Sequence, residues 1–269
     1  TLFPYTTLFR SIRINEVLEM EPEIINPKSE ISAYTKSGYV EFKDVSFSYP
    51  GAEKPAISNI TFSARPGETT AIIGGTGSGK STLINLIPRF YDITSGEILV
   101  DGVDVREMSQ ESLKSKIGFV PQNTVLFSGT IAENIRYGKD NATIEEIQHA
   151  ATIAQATEFV DGMKDGYEHF IAQGGTNVSG GQKQRLSIAR ALIRQPEIYI
   201  FDDSFSALDF KTDAKLRVAL KKETAKSTVL IIAQRVATVM DADRIIVLDE
   251  GHIADRKSTR LNSSHKTHL

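Results

Sequence analysis

The chain has 269 residues, 40% of them hydrophobic and 24% charged, with a formal net charge of -3 and no cysteine. Apolar content of this order excludes global disorder, and the missing cysteine excludes disulfides, thiolate metal sites and a Cys nucleophile. The charge excludes a global positive field for nucleic acid, and no apolar run nears the roughly 18 residues of a transmembrane helix.

Taken in order, Ile12–Glu21 carries Ile14, Val17 and Leu18 at helical spacing and is closed by Pro22 and Pro27. A polar, irregular stretch to Tyr34 reads as a linker. Tyr39–Phe47 and Ile60–Ala64 alternate in the manner of strands. Glu68–Gly74 is an apolar run into a Gly-rich turn, followed by the helical pattern Leu83, Ile84, Leu86 and Ile87. A β segment surrounds Glu97–Val100, and a helix around Glu111–Lys116 precedes a strand at Ile117–Val120. From about Leu126 to Phe170 the pattern turns mostly helical, with Ile144, Ile147, Ala151 and Ala154 on one face. Strand and helix then alternate again: Gln182–Arg194 helical, Glu197–Phe201 strand, Thr212–Lys222 helical, Ser227–Ala233 and Arg244–Leu248 strands. Alternation of this kind predicts a parallel α/β sheet, interrupted by a helical insertion.

Between an apolar strand and a helix lies Gly74-Gly75-Thr76-Gly77-Ser78-Gly79-Lys80-Ser81, then Thr82. The spacing is that of a phosphate-binding loop. Its glycines let backbone N–H groups curl around phosphate oxygens, Lys80 reaches the β- and γ-phosphates, and the Ser81 hydroxyl binds Mg²⁺. The loop by itself leaves kinase, GTPase, motor and transporter open. His149, His169 and His252 have no neighbour at metal-ligand spacing.

A second glycine-rich helix start, Ser179-Gly180-Gly181-Gln182 within Asn177–Arg185, offers N–H groups to an anion behind a serine N-cap. Together with the loop it resembles the signature of ATP-binding cassette (ABC) ATPases, and the resemblance extends over nearly all of Tyr39–Ala254. It implies an α/β P-loop (RecA-like) core with an antiparallel β-subdomain and an inserted helical subdomain at about 124–185. It implies ATP and Mg²⁺ as cofactors, and a second cassette in head-to-tail pairing whose γ-phosphate this signature would cap. By the same resemblance Tyr49 would stack on adenine. Gln122 would touch Mg²⁺ and the attacking water, and Asp202 would join Ser81 and Gln122 at the metal. Gly174-Gly175 and Ser206-Ala207-Leu208-Asp209 would carry signals across the dimer, with Asp209 central. Phe127–Ile135 and Arg13–Glu19 resemble exporters in particular, with Arg13–Glu19 as the connector leaving the last transmembrane helix.

Two positions depart from the family's pattern. Asp203 stands where the family has Glu, and losing a methylene can leave a general base short of the proton it must take; a helix-entry carboxylate with no catalytic duty is the other reading of Asp203. Gln234 stands where the family has His; an amide can donate a hydrogen bond but cannot become cationic. The pair resembles a degenerate ATP site in one subunit of a heterodimeric multidrug-type exporter, on the cytoplasmic face of the cell membrane. A homodimeric exporter with active sites and a soluble, non-transport ABC ATPase are the alternatives.

Both ends read differently from the body. Thr1–Ser11 and Asp255–His265 each resemble a sequencing adapter translated in one frame, which would make 1–11 and 255–269 artefact. Residues 12–38 would then be the connector from a transmembrane domain lost to truncation, and 39–254 the ATPase domain. Without Arg10, Asp255, Arg256, Lys257, Arg260 and Lys266 the 31 basic and 34 acidic residues become 26 and 33, a net charge of -7.

Overall fold

Val40 and Phe42 share one face of a strand because side chains alternate with a period of two; a register shift between Phe42 and Val45 brings Val45 and Phe47 to the same core, and all four are buried. The computed structural model describes residues 14–15, 18–19, 22–31, 37–233 and 239–258. It forms this segment as β1 (Val40–Phe47), paired antiparallel with β2 (Ile57–Ala64) and β4 (Ser95–Val100). With β5 (Val103–Asp104) the order is β2-β1-β4-β5. Phe42 faces Phe62 across the pair, and their rings stack at 4.6 Å.

The second sheet holds β3 (Thr69–Gly74), β6 (Ile117–Val120), β9 (Ile198–Asp202), β10 (Thr228–Ile232), β11 (Arg244–Asp249) and β12 (His252–Ser258). Its order is β12-β11-β3-β10-β9-β6, parallel except for the edge hairpin to β12. The segment boundary expected at Ala254 falls inside β12. Every residue of β9 and β10 is buried. A strand covered on both faces reads as an unbroken apolar run, which is why these two were visible in the sequence. Ile198 and Ile200 join the core shared with the antiparallel sheet and α1 (Lys80–Asn85), whereas Tyr199 and Phe201 join the core shared with the helices.

After α2 (Gln110–Ser115) and β6 comes the insertion: α3 (Ile131–Arg136), α4 (Ile144–Ile153) and α5 (Thr157–Asp161). Thr130 with Glu133 and Thr143 with Glu146 form reciprocal capping boxes that start α3 and α4. The insertion is less purely helical than its periodicity suggests. A two-residue ribbon, β7 (Gly129–Thr130) against β8 (Phe170–Ile171), closes its ends. Two residues are too short a run to register as alternation. Then follow α6 (Gly180–Leu192) and α7 (Phe210–Glu223). No helix among the described residues is long and apolar enough to cross a membrane. Of the expected connector helix, Ile14, Asn15, Leu18 and Glu19 are described, and the Glu19 N–H donates to the Asn15 carbonyl at 2.8 Å.

A buried charge cluster marks the entry into β1. Lys116 Nζ lies 3.0 Å from Asp101 Oδ2 and 3.2 Å from Glu197 Oε2. Burial pushes the Asp101 carboxyl up, but the Ser37 hydroxyl, the Lys116 ammonium and the Tyr39 N–H outweigh it and hold its pKa below the ordinary 3.8. Burial likewise lowers Lys116, and the two carboxylates outweigh that to raise it above 10.5. The stability contributed by Asp101 is therefore present above pH 3.8 and lost as pH falls through its depressed value. That of Lys116 is present below pH 10.5 and lost as pH rises through its elevated value. Lys116→Met, which leaves a buried carboxylate unpaired, is expected to cost about 3–5 kcal/mol in urea unfolding at neutral pH. A loss under about 1 kcal/mol, the scale of an exposed pair, would contradict the assignment.

Candidate nucleotide site

β3 ends at Gly74, and the chain must turn at once into α1. Gly74 has φ 156, and a Cβ there would stand 2.2 Å from the Leu248 carbonyl oxygen of neighbouring β11. Gly79, the N-cap of α1, has φ 95, and its Cβ would meet Ile57 and the Ala56 carbonyl. Only glycine admits both the backbone angles and the close approach. Gly74→Ala is expected to destabilise the domain by about 1–3 kcal/mol, read as a shifted urea midpoint; an unchanged midpoint would show that the neighbouring strand yields.

Gly75, Thr76 and Gly77 are exposed, and Ser78 is buried beneath them. Lys80 turns back over the loop, its Nζ donating to the carbonyls of Gly74 at 2.9 Å and Gly75 at 2.6 Å, with Ser78 Oγ at 3.4 Å. That places an ammonium in the mouth of the loop, where phosphate oxygens would compete for it. Next in sequence, Ser81 Oγ donates to Asp202 Oδ1 at 3.2 Å. Burial raises the Asp202 pKa; Ser81 lowers it, the adjacent Asp203 raises it, and Lys80 lowers it, leaving a net increase. A buried carboxylate with raised pKa gains from a cation beside it.

The oxygen donors of Ser81 and Asp202 fit Mg²⁺, which takes one or two protein ligands and completes its octahedron with phosphates and waters. Among the described residues no group of three His, Cys, Asp or Glu could hold a metal unaided. Asp203 follows at the strand end, buried, with φ 46, a left-handed conformation uncommon outside glycine. Gln122 Nε2 lies 3.5 Å from Asp203 Oδ2, at the limit of a hydrogen bond, which brings the two strand ends together. Gln234 lies outside the described residues.

Tyr49 OH is 3.1 Å from Thr82 Oγ1, on the first turn of α1. Its ring meets Phe47 edge-on at 4.9 Å and Tyr91 at 5.3 Å. The structure thus adds Tyr91, which the sequence reading missed; its only signal was the aromatic pair Phe90-Tyr91 just past a phosphate-loop helix.

Ser179 caps α6. Its Oγ accepts from Gln182 N at 3.2 Å, and Gln182 Oε1 accepts from Ser179 N at 2.8 Å. Ser179 and Gly180 are exposed, and a Cβ on Gly180 would meet nothing within 4 Å. Gly181 packs beside the Ala207 carbonyl, which joins the signature to the loop ending at Asp209. Asp209 caps α7 through the N–H groups of Lys211 and Thr212, and these bonds hold its pKa below the ordinary value. Among the described residues, no hydrogen bond or ion pair joins Ser179, Gly180, Gly181 or Gln182 to the phosphate loop. The structure therefore gathers Tyr49, Lys80, Ser81, Thr82, Gln122, Asp202 and Asp203 at one end of the sheet and leaves the signature apart.

Sequence reasoning also missed what holds the segment after Gln122. Thr124 Oγ1 donates to Gln184 Oε1 at 3.1 Å, and Arg190 donates to the Val125 and Asn134 carbonyls. Burial lowers the Arg190 pKa. The signal was present: Asn134 sits within an apolar helical face and is fully buried.

A phosphate loop at the C-terminal end of a parallel sheet, with a hydroxyl and a buried carboxylate beside it, defines a P-loop nucleotide-binding domain. The chain belongs to the ABC transporter family, whose model matches residues 57–206. That span includes the loop, Gln122, the signature, Asp202 and Asp203; Tyr49, Asp209 and Gln234 lie beyond it. The chain is 49% identical over 245 residues to an uncharacterised ABC transporter ATP-binding protein of Mycobacterium tuberculosis, covering 90% of this chain and 42% of that one. It is 43% identical over 243 residues to an ATP-dependent lipid A-core flippase of Vibrio vulnificus, covering 90% and 41%. The solved structure of a bacterial Atm1-family ABC exporter with ATP bound matches at a TM-score of 0.89 and 33% identity, covering 98% of this chain and 46% of that chain. The chain thus spans less than half the length of these relatives.

Proposed function

We propose that the chain is the ATP-binding and ATP-hydrolysing cassette of an exporter, working with Mg²⁺ in a head-to-tail pair with a second cassette. The observation that carries the reading is the split, among the described residues, between the phosphate loop with Lys80 and Ser81 at its mouth and a signature whose Ser179 and Gly180 are exposed and make no hydrogen bond to that loop. A site whose two halves stand apart in one copy is completed by another. The relatives' greater length and the exporter structure support a membrane domain in the whole protein, with the cassette on the cytoplasmic side. ATP at Lys80 and Ser81 would draw the cassettes together, and hydrolysis would release them.

The two departures support a weakened site on this chain and a different subunit as partner. Asp203 is the shorter acid in a left-handed turn, and Gln234 cannot carry a charge. The intact signature would still cap the partner's nucleotide. Ser179→Ala in a reconstituted pair is therefore expected to lower hydrolysis at the opposite cassette about 10-fold, the scale of one lost hydrogen bond to a charged group, with ATP binding at Lys80 unchanged. A fully active pair would exclude the capping role.

A further inference from the structure

Three neighbouring strands of the parallel sheet carry the groups beyond the phosphate loop: β6 leads to Gln122, β9 ends in Asp202 before Asp203, and β10 leads to Gln234. The opposite ends of the same three strands share one feature. Lys116 directly precedes β6, Glu197 directly precedes β9, and Lys116 Nζ joins them at 3.2 Å. Asp101 completes the cluster. Its Oδ2 takes Lys116, and its Oδ1 accepts from the Ser37 hydroxyl at 2.7 Å and the Tyr39 N–H at 2.9 Å. Thr228, the first residue of β10, donates from Oγ1 to the Gly38 carbonyl at 2.6 Å. Gly38 has φ 75, and a Cβ there would stand 2.5 Å from the Glu197 carbonyl oxygen, so the entering chain lies directly on the base of β9.

β3, which carries the phosphate loop, is not fastened this way; its Thr69 N–H is held by Asp243. The entering chain is also tied down upstream of Ser37. Asn26 Oδ1 accepts from Gln110 N at 2.9 Å, the Ser109 hydroxyl donates to Glu30 at 2.8 Å, and the Ile31 N–H donates to the Glu107 carbonyl. At the site end, the buried Ser204 hydroxyl donates to the Val120 carbonyl at 3.0 Å and reaches the Asp202 carbonyl at 3.3 Å, joining the ends of β6 and β9.

We propose that Lys116, Asp101 and Glu197 are positioning residues that clamp residues 37–39 to the bases of β6, β9 and β10, so that nucleotide at the site and strain in the entering segment act on each other through these strands. The physical basis is stiffness. A fully buried five-residue strand spans about 15 Å, is packed on both faces and transmits displacement along its length. A two-residue shift of the entering chain would have to break the Asp101 bonds or carry the strand bases along. Exposed linkers contacting a sheet by ordinary packing would slide instead.

The proposal rests on nucleotide binding at Lys80 and Ser81, and its test keeps the two apart. Backbone hydrogen exchange is measured on the 269-residue chain with and without ATP–Mg. Protection at residues 75–82 reports binding; the Tyr39 and Asp101 amides, which bond across the clamp, report its response. Exchange at both is expected to slow at least threefold when ATP–Mg binds. In Lys116→Met the loop stays protected and that response disappears, whereas Lys116→Arg, which can still span two carboxylates, restores it. If Lys116→Met does not fold, Ser37→Ala removes one clamp bond at the edge of the domain and is expected to at least halve the response. Loop protection with no change at Tyr39 and Asp101 in the unaltered chain overturns the clamp alone. No loop protection overturns both readings.

Discussion

Lys80→Ala lowers the affinity of the chain for ATP–Mg about 100-fold, the loss of roughly 3 kcal/mol expected when a charge-assisted contact to phosphate is removed. The reason lies in what Lys80 touches. Among the described residues its Nζ bonds to two loop carbonyls and one loop hydroxyl, and Gly74 and Gly75 are exposed, so water replaces the ammonium when it is gone. The fold therefore does not depend on Lys80, and the urea midpoint stays put while binding collapses. Calorimetric titration with ATP–Mg separates the two. An affinity change below threefold would mean that the backbone cradle holds the phosphates without the lysine.

That site was legible in the sequence because its chemistry is contiguous: eight residues, Gly74–Ser81, bring the turn, the amine and the hydroxyl together. The signature was legible for the same reason. The central strands β9 and β10 announced themselves because both faces are covered, leaving no polar residue to interrupt Ile198–Phe201 or Val229–Ile232. What stayed hidden is assembled from distant pieces. Tyr49 meets Tyr91 across 42 positions, Thr124 meets Gln184 across 60, and Asp101, Lys116 and Glu197 converge over 96. No local pattern marks such groups; only a buried lysine or asparagine in the folded chain reveals that a partner must exist, since an unpaired buried polar group is costly. The clamp at the base of the sheet is of this kind, and so is the fastening of the Gln122 segment to α6.

Asp203→Glu combined with Gln234→His is expected to raise ATP turnover about 100-fold, the lower end of what a well-placed general base contributes, with ATP affinity unchanged. Ser81 Oγ already donates to Asp202 Oδ1 at 3.2 Å, and Gln122 Nε2 already lies 3.5 Å from Asp203 Oδ2. The added methylene would lengthen the reach of the carboxylate by one bond from the left-handed turn at φ 46. An imidazole at 234 adds a donor that can become cationic as charge develops on the transferred phosphate. Each change alone is expected to give less than its share, because a base without a charge-stabilising partner leaves the transition state half supported. Phosphate release by the four chains at saturating ATP–Mg decides the matter. A double variant no faster than the unaltered chain would show that Asp203 and Gln234 are not what limits this site, and the heterodimer reading would lose its chemical basis.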